Sequence, residues 1–390
     1  MSRIAIRCLR LKVNGATLGG EVLGEAELRR KRLASAEACA TRAALAVLSF
    51  FGGACLLFVA PVAADAARPV FGVSDPRFTS TFPAGTLAQL GIDQVGISVA
   101  PGDEQKAWAI PASMGVLVVF AGNHWYESHP AAYAAAARRL VKFHPNVREI
   151  QVSNEPDLCL PWLGFWSDCL PREVGNRRFA GAPLDRYLDE LAATHDALAG
   201  TGVKVLGFGF SPPWHHSDHG LSFWDPSTIA AAIDSWYYRR GPLTMKGVGP
   251  REDGEWISVR IRGHRYPRPI MDGFAYHPYA GWDDATTAAI YSQLEALELP
   301  GGTPALWWTE LGMDTAWTSR RPCPWQGSEQ EQAARVQAVL DGARNSPVVA
   351  GAFNFLLTDE TDPNRFQSGL IRPDGTPKPA FYSFRASVAP

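Results

Sequence analysis

With 390 residues, 46% of them hydrophobic and 19% charged, the chain has the composition of an ordered globular protein and not of a disordered one. A net charge of −2 excludes the basic footprint of a nucleic-acid binder. The length suits one large α/β barrel, for which about 250 residues is typical, or two average domains.

The charge is unevenly spread. Residues 1–64 hold nine Lys/Arg and four Asp/Glu, so the remainder carries 28 against 35, a charge of −7. Arg29, Arg30, Lys31, Arg32 and Arg42 precede an apolar run, Ala43 to Ala63, and small residues follow at Ala64, Ala66 and Ala67. Basic, apolar, then small is the order of a secretory signal. Residues 1–67 are therefore expected to be a signal peptide with a basic leader, and 68–390 a single exported domain. The competing reading is an uncleaved membrane anchor, because the 21 residues 43–63 just span a bilayer. Gly52, Gly53 and Pro61 inside the run favour cleavage. Cys159, Cys169 and Cys323 lie beyond the leader. Cys159 and Cys169 bracket one loop and form the expected disulfide, with Cys323 the rival partner. Their spacing matches no compact zinc motif.

From residue 69 the pattern alternates strand and helix. The first strand is expected at Val70–Ser74, the second at Gln94–Val99 and the third at Val116–Phe120, followed by a loop through Asn123, His124 and Trp125. An alanine-rich helix over 130–143 leads to a fourth strand, Val147–Ser153. Helical spacing of Leu184, Tyr187, Leu188, Leu191 and His195 marks a helix to Ala199. The fifth strand follows at Val203–Phe210 and the sixth at Gly273–Tyr276. A helix over 285–297, a seventh strand at Leu306–Thr309, a helix over 329–344 and an eighth strand at Val349–Leu356 complete the series. Two excursions break the rhythm. Residues 158–182 are rich in Trp, Pro and Cys, and residues 241–271 include a hairpin strand at Trp256–Ile261. Eight apolar strands joined by helices, with no Gly-rich dinucleotide turn, predict a (β/α)8 TIM barrel of the α/β class.

Two strand ends carry chemistry. Ile150 and Val152 run into Asn154-Glu155-Pro156, and Pro156 cannot continue a ladder. Ala305 to Gly312 is again an apolar run, with Glu310 near its end. Two carboxylates at the C-terminal ends of two barrel strands are suited to flanking a glycosidic bond. Between them lies Phe274-Ala-Tyr-His-Pro-Tyr279.

These residues resemble clan A of the glycoside hydrolases, and the resemblance runs over roughly residues 69–385. In that clan the acid/base follows an asparagine on the fourth strand, the nucleophile glutamate ends the seventh, and the sixth often carries His-x-Tyr. The resemblance implies Glu155 as acid/base, Glu310 as nucleophile, and His277 and Tyr279 as their neighbours. Asn154 is expected to hold the sugar 2-hydroxyl, and Tyr279 to donate to the nucleophile. The implied activity is a secreted retaining β-glycosidase acting on a β-glycan or its oligosaccharides, with no metal and no cofactor. A carbohydrate-binding pseudoenzyme and a transglycosylase using the same glutamates are the alternatives.

Asn123, His124 and Trp125 end the third strand on the active face, where a sugar-binding role is expected. Trp162, Trp166, Trp214, Trp308 and Trp317 are candidate sugar platforms, although core packing must account for several of the thirteen tryptophans. Trp307 or Trp308 must face inward if the other faces out. His215, His216, Asp218 and His219, and separately Asp359, Glu360, Asp362 and Asn364, lack the spacing of zinc and calcium sites. Two features depart from the clan: Val95 to Gly102 contains no arginine, and the eighth strand ends on Asn354-Phe355-Leu356 where many members carry tryptophan.

Overall fold

The computed structural model describes residues 68–121, 124–127, 129–155, 181–210, 233–234, 236–237, 243–246, 256–259, 266–279, 284–316, 326–363 and 365–389. The chain divides into two units, Met1–Asp65 and Ala66–Pro390, and all of these residues belong to the second. The expected leader and the cysteines at 159, 169 and 323 lie outside the described residues. Among the described residues no helix is long and apolar enough to cross a membrane.

The strands are β1 Val70–Ser74, β2 Gln94–Val99, β3 Gly115–Phe120, β4 Val147–Val152, β5 Lys204–Phe210, β6 Leu243–Lys246, β7 Trp256–Val259, β8 Gly273–Tyr276, β9 Ala305–Leu311 and β10 Val349–Phe355. Eight of them close into a parallel barrel in the order β1-β10-β9-β8-β5-β4-β3-β2, while β6 and β7 form a separate antiparallel pair. The helices are α1 Ala84–Leu90, α2 His124–Glu127, α3 Pro130–Phe143, α4 Gly181–Leu198, α5 Asp284–Glu295, α6 Glu329–Asn345 and α7 Pro379–Val388. The fold is a (β/α)8 TIM barrel.

Each barrel strand is covered on both faces because one face meets the helices and the other the barrel interior, and most of the covered residues are apolar, although β2 and β4 also bury Gln94, Glu149 and Gln151. In β3, Val116, Val118 and Phe120 join the large cluster under the helices, whereas Leu117 and Val119 point inward. The interior cluster is completed by Leu206, Ala275, Trp307 and Phe353. Room for the Trp307 indole is made by Gly273 and Gly351, where a Cβ would overlap the ring. The barrel is therefore a packed core and not a pore. On the helical side, Tyr133, Ala136, Ala137 and Leu140 form the buried stripe of α3. Helix α6 starts with a capping box in which Ser328 and Glu331 satisfy each other's backbone N–H groups.

Several boundaries differ from those expected. The fourth strand ends at Val152 because Ser153 turns into the left-handed region, φ 61°, and the eighth ends at Phe355 because Leu356 does likewise, φ 70°. The seventh is longer than expected, so that Glu310 belongs to β9 itself. Helix α1 was not anticipated: seven residues with two buried leucines are too short to show a period.

Candidate active site

The end of β4 is backbone forced off its ladder. Ser153 and Glu155 both have positive φ, 61° and 42°, and a non-glycine residue in that region costs about 1–2 kcal/mol. A set of hydrogen bonds holds it. The Ser153 N–H reaches the Phe120 carbonyl at 3.1 Å, and the Glu155 N–H reaches the Gly209 carbonyl at 3.1 Å. The buried Gln151 amide donates to the Ser153 carbonyl at 3.1 Å and approaches Asn154 Oδ1 at 3.5 Å. Tyr187 donates to the Val152 carbonyl at 3.2 Å. Opposite, β5 is bulged, with Phe208 at φ 83° and Gly209 at φ 59°. Residue 209 must be glycine for a second reason: a Cβ there would run into the Gln151 side chain.

His277 and Tyr279 follow β8, which lies between β5 and β9 in the barrel. His277 is fully buried and stands between two carboxylates. Its Nδ1 is 3.2 Å from Glu155 Oε1 and 3.8 Å from Glu310 Oε2. Those two oxygens are therefore no more than about 7 Å apart. Tyr279, also buried, donates its hydroxyl to Glu310 Oε2 at 2.5 Å. The ring of Tyr279 is braced edge-on by Phe355 and Phe366, with centroids 6.1 and 5.3 Å away.

Burial raises the Glu310 pKa above the usual carboxylate value, and the neighbouring negative charge of Glu155 pushes the same way. The positive charge of His277 and the hydrogen bond from Tyr279 pull it back down. Burial, followed by the charge of Glu310 and the hydrogen bond to it, raises the Tyr279 hydroxyl well above its ordinary pKa, so it stays protonated and donating. Two carboxylates this close cannot both ionise freely. The arrangement suits one proton held by the pair, with a histidine able to stabilise either charge.

The structure thus brings together Glu155, Glu310, His277, Tyr279 and the half-buried Asn154 at one end of the barrel. His124 opens α2 and Asn123 lies outside the described residues, as do Trp162, Trp166, Trp214 and Trp317. Trp308 is a correction. Its indole is fully buried in the cluster under the helices, while Trp307 fills the barrel interior, so neither ring offers a face to a sugar. The two indoles do alternate, one inward and one outward, but a β9 strand covered on both sides leaves neither exposed. The histidine group at 215–219 lies outside the described residues. In the acidic group at 359–364, Asp359 is taken by the ammonium of Lys378 at 2.6 Å. Gln151, Phe355 and Phe366 were not singled out as site residues. Only Phe355 carried a signal, as the residue standing near the place of the clan's tryptophan.

No protein-family model matches the chain, and no curated protein sequence matches it. Among solved structures, the chain is similar to a family 39 glycoside hydrolase from the gut symbiont Bacteroides cellulosilyticus WH2, with a TM-score of 0.51 and 15% identity over 83% of this chain. The chain spans 64% of the length of that protein. A β-glucuronidase 2 from Bacteroides uniformis gives a TM-score of 0.48 at 13% identity, covering 83% of this chain and 34% of that one. A family 128 endo-β-1,3-glucanase from Amycolatopsis mediterranei gives 0.46 at 16% identity, covering 82% of this chain and 99% of that one. At these identities the likeness is one of fold.

Proposed function

We propose that the protein is a glycoside hydrolase that cleaves β-glycosidic bonds with retention, Glu155 serving as acid/base and Glu310 as nucleophile. The observation that carries this reading is the pair of carboxylates at one barrel end, both within 3.8 Å of the buried His277 Nδ1. Retaining enzymes hold their carboxyl groups about 5 to 5.5 Å apart and inverting enzymes about 6.5 to 9.5 Å apart, and the limit near 7 Å on one oxygen pair is compatible with the retaining spacing. The fold shared with a family 39 glycoside hydrolase supports the same class of chemistry.

In the first step the Glu310 carboxylate attacks the anomeric carbon. The bond to the leaving oxygen breaks, and Glu155 gives that oxygen its proton. In the second step the Glu155 carboxylate takes a proton from water, the water oxygen attacks the anomeric carbon, and Glu310 is released. Glu310 must enter this cycle ionised against the effect of its burial. Tyr279 and His277 supply the opposing stabilisation, and placing the proton on Glu155 removes the repulsion between the two carboxylates. Asn154 is positioned on the acid/base side and is assigned to the sugar 2-hydroxyl, a contact that strengthens as positive charge develops at the anomeric carbon. These steps draw on the chain's own acid, base and nucleophile.

The substrate class is a β-glycan or its oligosaccharides outside the cytoplasm, with residues 1–67 as signal peptide or anchor and a disulfide between Cys159 and Cys169. The test is a screen of aryl β-glycosides and of glucan, mannan, xylan and galactan, with product analysis at high substrate to separate hydrolysis from transglycosylation. Hydrolysis lost on replacing either glutamate is expected. Oligosaccharide binding with no turnover of any activated glycoside would overturn the reading in favour of a binding protein.

A further inference from the structure

Two fully buried tyrosines on different helices end on the backbone of β4, next to the turn that carries Glu155. From α3, the Tyr133 hydroxyl donates to the Phe120 carbonyl at the end of β3 and accepts from the Ser153 N–H at 3.1 Å. From α4, the Tyr187 hydroxyl donates to the Val152 carbonyl at 3.2 Å and accepts from the Phe208 N–H in the β5 bulge. Each hydroxyl spends both a donor and an acceptor function on two neighbouring strands. Consecutive residues Val152 and Ser153 are thereby gripped from opposite sides, two residues before the carboxylate.

The second tyrosine also acts at one remove. Phe208 and Gly209 are consecutive positive-φ residues, and the Gly209 carbonyl is what accepts the Glu155 N–H at 3.1 Å. Holding Phe208 fixes the bulge, and the bulge fixes the main chain of Glu155. Packing alone calls for phenylalanine at both positions, since the rings are already covered. A buried hydroxyl is unfavourable unless bonded, and here the hydroxyls satisfy backbone groups where the parallel ladder stops. Strained backbone of this kind persists only when its surroundings over-determine it.

We propose that Tyr133 and Tyr187 are positioning residues that aim the Glu155 carboxyl at the leaving-group oxygen without touching substrate. This rests on Glu155 being the acid/base. Loss of either hydroxyl lets the Ser153–Glu155 turn relax, and proton donation, which requires hydrogen-bond geometry in the transition state, suffers before other steps do.

The experiment compares Tyr133→Phe and Tyr187→Phe with Tyr237→Phe, a control whose buried hydroxyl donates to the Arg268 carbonyl at 3.2 Å. For each, kcat/KM is measured on a dinitrophenyl and on a phenyl β-glycoside of the preferred sugar, together with Tm. In Tyr133→Phe and Tyr187→Phe the phenyl substrate should lose roughly 10- to 100-fold and the dinitrophenyl substrate less than about threefold. Tyr237→Phe should lower Tm and leave the ratio of the two substrates unchanged. Equal losses on both substrates in Tyr133→Phe and Tyr187→Phe, or the same skew in Tyr237→Phe, overturn the positioning role. Glu155→Ala is assayed alongside. If it shows no leaving-group dependence, the acid/base assignment fails and the proposal falls with it; if it does while the tyrosine variants stay flat, only the proposal falls. Should a phenylalanine variant not fold, 3-fluorotyrosine at that site keeps the hydroxyl and weakens it as an acceptor. The same skew, smaller, is then expected, and its absence overturns the role.

Discussion

Tyr279 donates its hydroxyl to Glu310 at 2.5 Å while packed edge-on against Phe355 and Phe366, so the donor has little freedom to turn elsewhere. The bond is made to the ionised form of the carboxylate, and it works against burial, which favours the neutral form.

Tyr279→Phe removes one of the influences that lower the Glu310 pKa, so that pKa rises and the acidic limb of the kcat/KM profile moves to higher pH. Above that limb, activity should still fall by about 10- to 100-fold, because the hydrogen bond that orients the carboxylate is lost. A pH–rate profile displaced to lower pH, or unchanged, would count against Glu310 as the group that must be ionised.

The two glutamates are separable by product. Glu310→Gly should abolish the glycosyl-enzyme whatever the leaving group, and added azide should attack from the vacated face to give the α-glycosyl azide. Glu155→Ala should still be glycosylated by substrates with good leaving groups and then stall, and azide, which needs no base, should release a β-glycosyl azide. NMR distinguishes the anomers. The opposite pairing of variant and anomer would reverse the roles.

Glu149 offers a test far from catalysis. It is buried in β4 beside Gln94, and burial raises its carboxyl to about 7, against an opposing pull from Lys204. The folded chain therefore binds more protons than the unfolded one between about pH 4.5 and 7, and stability falls as pH rises through that window. Glu149→Gln keeps an acceptor for Gln94 and abolishes the charge. At pH 8 it should exceed the parent in stability by about 3 kcal/mol, and near pH 4 the two should coincide. Thermal melts at both pH values check this. A difference independent of pH would mean that the carboxyl titrates normally.

Lys378 and Asp359 form a buried pair at 2.6 Å, with the lysine also donating to Thr315 at 2.9 Å and to the Gln367 carbonyl at 3.1 Å. Together they tie the segment after β9 to the segment after β10. Lys378→Met strands a buried carboxylate and should cost about 3–5 kcal/mol, whereas Lys378→Met with Asp359→Asn should recover much of it. Denaturation midpoints of the single and double variants give the coupling. Additive losses would show the pair to be independent.

The barrel was legible in the sequence because each strand is an apolar run broken by turn residues, and the periodicity of the longer helices is local. Glu155 and Glu310 were legible for the same reason, each being a polar residue at the end of such a run. Long-range meetings were a different matter. Phe366 closes on Tyr279 from the segment after β10, and nothing in its neighbouring residues says so. Tyr187 looked like an ordinary member of a helical stripe and Tyr133 went unmarked in an alanine-rich helix, since a sequence shows that a ring is to be buried but not where its hydroxyl will end. Strand ends failed where backbone turns left-handed at non-glycine residues, as at Ser153 and Leu356, because serine and leucine give no warning of it.

The indole of Trp307, seated against Gly273 and Gly351, fills the barrel interior together with Leu117, Val119, Leu206, Ala275 and Phe353. On the proposed mechanism, the water that resolves the glycosyl-enzyme attacks from the face the aglycone has left, because Glu155 serves first as acid and then as base on that face. Hydrolysis then has a fixed order: departure must precede delivery. In the interval any sugar held on that face competes with water for the same carbon, and its concentration decides how much product is longer than the substrate.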